Sequence, residues 1–389
     1  MKQILFFLID LNIGGTEKSL LNLLHFLPSN YRVTIFVLKK QGGFLGEIPS
    51  NVTIKEIENS ILINSFIQQS PLTNIKKFIE SGDIKKTFIG IYNYIRWKLS
   101  GDFTYNFKTI ESSIVEIKEQ YDIAVAYAGP HDFISYFISN KVKAKKRIQW
   151  IHFDISKIGF NKETARNLYR KFDEIKVVSD SVKQELLEVL PEFDKKVKIQ
   201  HNLVSSSVIK QMSTEKNVFQ DSFKGIRVVT VGRLTKEKGH ELFIPSMRKL
   251  IDEGYKIRWY LVGDGGYKDD LKNKILELKL EEDIVFIGSA LNPYTYISQS
   301  DIYLQPSYYE GHCVTILEAK ILNTPIVCTR FAGALEEIND GINGFVVDVS
   351  SEGIYEGVKS LLNDGALCSF FRDNLKNENK THQNITIEL

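Results

Sequence analysis

Residues 226–239 read IRVVTVGRLTKEKG. Ile226 to Val231 is an unbroken, largely β-branched stretch, the pattern of a parallel strand buried on both faces. Gly232 opens a polar loop that carries Arg233 and Lys238, and Gly239 closes it ahead of a helix expected from about His240. The rhythm then repeats toward the carboxyl terminus. Strands are expected at Arg258–Val262, Ile284–Ile287, Asp301–Gln305, Pro325–Thr329 and Gly344–Val347, with helices at 267–279, from about Val314, and around Leu335–Ile338. Strand and helix alternating in this way imply a parallel sheet with right-handed crossovers.

The same alternation runs through the first half. Ile4–Ile9 is an apolar strand, followed by the Gly14-Gly15 turn and a helix bearing Leu20, Leu21, Leu23, Leu24 and Leu27. Further strands are expected at Tyr31–Leu38, Val52–Ile57, Ile123–Tyr127, Arg147–Ile151 and Ile175–Val178, and Val197–Gln200 leads into His201-Asn202. Residues 60–118, with scattered aromatics and lysines, read as amphipathic helix. A chain of 389 residues is long enough for two cores of this kind. The sequence divides into an amino-terminal Rossmann-like domain at 1–204, a polar linker at 205–224, a second Rossmann-like domain at 225–365, and a tail at 366–389 that could form a short crossing helix.

Composition narrows the function classes. With 43% hydrophobic and 25% charged residues the chain is an ordinary globular protein rather than a disordered one. A formal charge of +2 gives no global pull toward nucleic acid. The three cysteines, Cys313, Cys328 and Cys368, have no metal-ligand or CxxC spacing and suit a reducing, cytoplasmic compartment. Asp10 and Asn12 interrupt the first apolar run before it could act as a signal segment. No stretch approaches the roughly 18 apolar residues of a membrane span.

In doubly wound sheets, ligands sit beyond the carboxyl ends of the strands. Four loops there carry chemistry. Gly14-Gly15-Thr16-Glu17 could let a phosphate approach backbone N–H groups at a helix amino terminus, or could be only a tight turn. Arg233 and Lys238 place two cations where a diphosphate could be neutralised without a metal; the competing reading is a solvated charged loop. Glu310 and Glu318 are two carboxylates with seven residues between them, one in a loop and one in the following helix. Such a pair could accept hydrogen bonds from the vicinal hydroxyls of two sugars, with the amides of Gly311, His312 and Cys313 close to the same ligand. Thr315, three residues before Glu318, also fits a helix capping box. His152 ends a buried strand and could donate a hydrogen bond or shuttle a proton, and His131 competes with it for that role.

Taken together, the Glu310-x7-Glu318 pair, the Gly232-Arg233-Leu234-x4-Gly239 segment with Lys238, and Gly263-Asp264-Gly265 after its strand resemble the family-four retaining glycosyltransferases of the GT-B fold. The resemblance spans nearly the whole chain. It implies two Rossmann-like domains facing each other across a cleft, and transfer of a hexose-type sugar from a nucleotide diphosphate sugar to a glycan or lipid-linked acceptor. It also implies retention at the anomeric carbon, with no metal and no cofactor. By the same resemblance Glu310 contacts the donor hexose, Glu318 the ribose, Arg233 and Lys238 the diphosphate, and Gly15 the phosphates. His152 falls at the acceptor-side histidine position. Two features depart from the family. Lys18 stands where many relatives have arginine, and the polar carboxyl terminus suggests a shortened or lost crossing helix. A nucleotide-sugar epimerase or phosphorylase, or a non-catalytic sugar-nucleotide-binding subunit, would share the fold.

The segment from Lys141 to Arg147 places five cations in seven residues, expected just before a strand. The stretch Ile75–Lys98 interleaves lysines with Phe78, Phe88, Tyr92, Tyr94 and Trp97. Both suggest peripheral contact of the first domain with an anionic membrane at the inner face of the plasma membrane, where a lipid-linked acceptor would be met.

Overall fold

The computed structural model describes residues 1–153, 155, 159–214, 218–381, 387 and 389. Its first sheet contains β1 (Lys2–Leu8), β2 (Tyr31–Val37), β3 (Thr53–Glu56), β4 (Ile117–Gly129), β5 (Val142–Ile151), β6 (Glu174–Val177) and β7 (Val197–Ile199). They lie parallel in the order β3-β2-β1-β4-β5-β6-β7. The second sheet contains β8 (Ile226–Val231), β9 (Ile257–Val262), β10 (Ile284–Gly288), β11 (Ile302–Gln305), β12 (Ile326–Thr329) and β13 (Phe345–Val347), in the order β10-β9-β8-β11-β12-β13. In each sheet the winding reverses once, between β1 and β4 and between β8 and β11. A crevice opens at the carboxyl ends of the strands where such a reversal occurs.

The apolar runs explain the sheets. Ile4, Leu5, Phe6, Phe7 and Leu8 of β1 are fully buried, and Ile4 and Phe6 sit in register with Ile123 and Val125 of β4. In the second sheet Val228, Trp259, Leu261, Ile302, Leu304 and Val327 form one core layer with the helix Phe243–Asp252. That helix turns Phe243, Ile244, Met247 and Leu250 inward.

The chain divides into two compact units. The first comprises Met1–Asn12 and Leu27–His201 with Leu389; the second comprises Ile13–Phe26 and Asn202–Ile387. The helix Gly15–Phe26 thus counts with the second unit, where Ser19 Oγ donates to Asn202 Oδ1 at 2.7 Å. No helix among the described residues is long and apolar enough to cross a membrane.

Three expectations change. The stretch 205–224, expected as linker, holds the helix Ser206–Met212, because Ile209 packs with Tyr294 and Ile321. Residues 215–217 lie outside the described residues. The polar-looking tail forms the helix Gly365–Thr381, anchored in the second unit by buried Phe371 and Leu375; residues 382–386 and 388 lie outside the described residues. The basic run at 141–147 does not precede a strand: Lys141 ends the helix Asp132–Lys141 and the rest lies in β5. Lys141 pairs with Glu111 at 2.5 Å, Lys143 with Glu116 at 3.2 Å, Lys145 with Asp122 at 2.7 Å and Lys146 with Glu174 at 3.1 Å. Each of these four lysines thus has a carboxylate within ion-pair distance.

Candidate active site

The loops after β8, β9 and β11 meet because glycines let main chain touch main chain. Gly239 has φ +60°, and a Cβ there would stand 2.1 Å from the carbonyl oxygen of Pro306. Gly263 has φ +155°, and a Cβ would stand 1.8 Å from the carbonyl oxygen of Gly232. Backbone hydrogen bonds complete the junction: Tyr308 N–H donates to Glu237 O at 2.9 Å and Leu234 N–H to Asp264 O at 3.0 Å. Any side chain at Gly239 would push the β8 loop off the β11 loop.

That approach brings two of the expected residues together. Lys238 Nζ lies 2.5 Å from Glu310 Oε1. The same carboxylate oxygen accepts from Ser307 Oγ at 2.8 Å and lies 3.3 Å from Gln305 Nε2. Burial disfavours the charged Lys238, yet Glu310 outweighs it and holds the lysine above its ordinary pKa. Behind Glu310 stands a buried relay. Tyr303 O–H donates to Gln305 Oε1 at 2.6 Å, Thr315 Oγ1 donates to the same atom at 3.2 Å, and Gln305 Nε2 donates to Ser307 Oγ at 2.8 Å. With both its oxygen and its nitrogen engaged, the Gln305 amide cannot rotate, and Ser307 and Glu310 are fixed in turn.

Glu318 is placed differently. It lies on the helix Val314–Ile321 and is 1% exposed. Burial raises its pKa to about 7, opposed by the charge of Lys18 and by a hydrogen bond with Tyr294. Lys18 Nζ sits 4.5 Å from the Tyr294 ring centroid, so the lysine that departs from the family pattern joins this carboxylate. The capping-box alternative does not hold. The N-cap is Cys313, and Thr315 lies inside the helix with its hydroxyl turned to Gln305.

The remaining expected residues are not all gathered to this point. Arg233 is half exposed, with its guanidinium 3.8 Å from Glu237. His312 turns its buried ring to Glu337, Nε2 to Oε1 3.1 Å, while Gly333 packs on Gly311. The Glu337 carboxyl is held at about 2: burial would raise it, but His312 and Lys320 prevail. Burial lifts the Cys313 thiol to about 12, so it is a packing group rather than a nucleophile. The space around Gly15 is open, with no protein atom within 4 Å of where a Cβ would be.

In the first unit, His152 follows β5. Its ring stacks on Trp150 with centroids 6.0 Å apart and contacts Tyr127 at 4.5 Å. Burial lowers its pKa to about 3, and Nε2 has no hydrogen-bond partner among the described residues. His131 is likewise lowered by burial, to about 4, and the neighbouring Asp132 is raised to about 7 by burial and by Asp102.

Gln305, Ser307, Tyr303 and Tyr294 escaped the sequence reading. One signal was available: Gln305 is a lone amide ending the otherwise apolar strand Ile302-Tyr303-Leu304. The partner of Glu318 had none, because Tyr294 and Lys18 are distant in sequence.

The second unit thus sets a lysine–glutamate pair at its switch point, where ligands of such sheets sit. Residues 213–380 match the family model described as "Glycosyl transferases group 1". The chain is 29% identical over 229 residues to the N-acetylgalactosamine-N,N'-diacetylbacillosaminyl-diphospho-undecaprenol 4-alpha-N-acetylgalactosaminyltransferase of Campylobacter jejuni, covering 58% of this chain and 61% of that one. It is 26% identical over 139 residues to the capsular polysaccharide biosynthesis glycosyltransferase CapM of Staphylococcus aureus, covering 35% and 37%. The alignments thus span less than two thirds of these relatives' length. Among solved structures, Anabaena Alr3699/HepE in complex with UDP-glucose superposes with a TM-score of 0.68 at 17% identity, covering 98% of this chain and 95% of that one. S. aureus TarM aligns with a TM-score of 0.67 at 15% identity over 99% and 96%. The fold is that of the GT-B glycosyltransferases.

Proposed function

We propose that this chain is a retaining glycosyltransferase that moves a hexose-type sugar from a nucleoside diphosphate sugar to a glycan or lipid-linked glycan acceptor in surface polysaccharide synthesis. The observation that supports this most is the Lys238–Glu310 pair at the second sheet's switch point. Lys238, with Arg233, neutralises the diphosphate as it departs. Glu310, fixed by Ser307 and Gln305, accepts hydrogen bonds from the hexose hydroxyls. Glu318 takes the ribose hydroxyls, Gly15 leaves room for the phosphates, and the amides of Gly311, His312 and Cys313 add donors.

In the front-face displacement that we assign, the bond from the anomeric carbon to the diphosphate oxygen breaks and the acceptor oxygen bonds to that carbon on the same face. The acceptor proton passes to the departing diphosphate oxygen. No metal takes part. His152, neutral at physiological pH, serves the acceptor side as a hydrogen-bonding group. The enzyme works in the cytoplasm, in peripheral contact with the anionic inner face of the plasma membrane. The named acceptor of the C. jejuni relative, a diphospho-undecaprenol glycan, supports a lipid-linked acceptor.

The test is transfer by the purified chain from a panel of nucleoside diphosphate sugars, read by mass spectrometry, with NMR of the new linkage. We expect one donor to dominate, retained configuration, and full activity in EDTA. Arg233→Ala and Lys238→Ala should each weaken donor binding by about tenfold or more. Inverted products, or activity lost on chelation and restored by manganese, would overturn the mechanism.

A further inference from the structure

In the first unit the helices Ser60–Ile67, Pro71–Glu80 and Ile84–Ser100 follow one another, and the last exposes much of its apolar surface. On the helix Ile84–Ser100 the side turned to protein carries buried Gly90 and Asn93 beside half-buried Ile89, Tyr94 and Trp97. Gly90 packs against Ile75, and Asn93 Nδ2 donates to Thr109 Oγ1 at 3.1 Å. The solvent side carries Ile84, Phe88, Ile91, Tyr92, Ile95 and Leu99, of which Ile84 is 71%, Phe88 70% and Leu99 81% exposed. At about 100° of rotation per residue, these six fall within an arc of about 100°. The two preceding helices also expose Ile61, Leu72 and Ile79.

Charge decides what covers this stripe. No aspartate or glutamate occurs between Ile84 and Ser100. On the helical wheel Lys85 and Arg96 border one side of the arc and Lys98 the other. None of the three has a carboxylate within ion-pair distance among the described residues; in this stretch such pairs are Lys86 with Asp83 and Lys76 with Glu80. The Lys98 ammonium lies over the Trp97 ring at 4.5 Å and Arg96 donates to Tyr105 O–H at 2.7 Å, so both cations keep aromatic company at the rim. A second copy of the chain would set cationic rims against each other with no carboxylate to answer them. An anionic lipid surface answers both features, taking the apolar arc below the headgroups and the rim cations among the phosphates.

We infer that the helix Ile84–Ser100 is an interfacial anchor that lies in the plane of an anionic membrane. This deepens the reading of a lipid-linked acceptor given above, and it moves the contact from the carboxylate-paired β5 lysines to this helix. The experiment is co-sedimentation of the full chain with vesicles of phosphatidylglycerol and phosphatidylcholine in equal parts, against vesicles of phosphatidylcholine alone. Binding should be selective for the anionic vesicles and reversed by salt. Phe88→Ser with Ile95→Ser should weaken it by about tenfold or more, and Lys85→Glu with Lys98→Glu comparably. Because these side chains are exposed, the variants should fold and should transfer sugar to a water-soluble acceptor at the parent rate. Failure of that transfer in the parent would count against the glycosyltransferase reading alone. No vesicle binding, equal binding to both vesicle types, binding lost only on changing Lys143, Lys145 and Lys146 to Glu, or a dimer dispersed by Phe88→Ser would each overturn the anchor.

Discussion

The carboxyl edges of the two sheets solve opposite electrostatic problems. At the second sheet, charge is met with charge: Lys238 faces Glu310 and Lys320 faces Glu337. At the first sheet, ionisable groups are dried out instead. His152, His131 and Asp132 are all pushed toward their neutral forms by burial. An edge of balanced ions is organised in advance for a charged ligand, since little reorganisation is needed when a diphosphate arrives. An edge of neutral imidazoles suits hydroxyl groups, which need hydrogen bonds and no counter-ion.

The strongest way to break this contrast is to remove one ion of the pair. Glu310→Ala should abolish detectable transfer, a loss of at least about a thousandfold, while circular dichroism shows the fold intact. It should also lower stability, because Lys238 is left largely buried without its partner. Near-normal turnover by the folded variant would remove Glu310 from the site.

A smaller effect is expected one step back. Gln305→Leu keeps the volume roughly constant but frees Ser307 and Glu310 to move. It should cut kcat by about ten- to a hundredfold with a lesser change in donor KM, and Gln305→Glu should not rescue it. Equal changes in kcat and KM would mean that Gln305 is only a packing residue.

The smallest effects separate the edges by pH. Glu318 has a raised pKa, so its contribution to stability is full below the usual glutamate pKa and is lost as pH rises toward about 7. His152 has a lowered pKa, so its contribution is present above the usual histidine pKa and is lost as pH falls from there toward about 3. Denaturant titrations of Glu318→Gln and His152→Asn against the parent should therefore differ from it with opposite signs of slope, over windows that overlap at mildly acidic pH. The expected effect is on the order of 1 to 3 kcal/mol in each case. Parallel curves at all pH values would mean that neither group is held neutral by the fold.

The sequence was most legible where chain neighbours decide the structure. The apolar runs foretold twelve of the thirteen strands among the described residues, β7 being the exception, to within a residue or two in most cases, and the Gly232–Gly239 loop was placed correctly after β8. Two strands ran longer than expected. β4 begins at Ile117 and β5 at Val142, because their first halves are charged and pair with each other at an exposed part of the sheet. The lysines of β5 looked like a free basic patch because their carboxylates come from other segments. Glu310 and Lys238 could be named separately, but their contact depends on Gly239 against Pro306, a tertiary approach that spacing does not encode. The relay through Gln305 and the Tyr294–Glu318 contact were hidden for the same reason.

The junction of Gly232 with Gly263 and of Gly239 with Pro306 makes one part of the second unit a surface of bare main chain. Substitution can reshape only what has a side chain. Drift in donor preference among descendants of this chain should therefore accumulate around that surface, at positions such as Arg233, His312 and Tyr294, while the glycine junction stays as an inherited floor. For an engineer the same fact is practical: libraries aimed at a new donor should randomise the walls and leave Gly239 and Gly263 untouched.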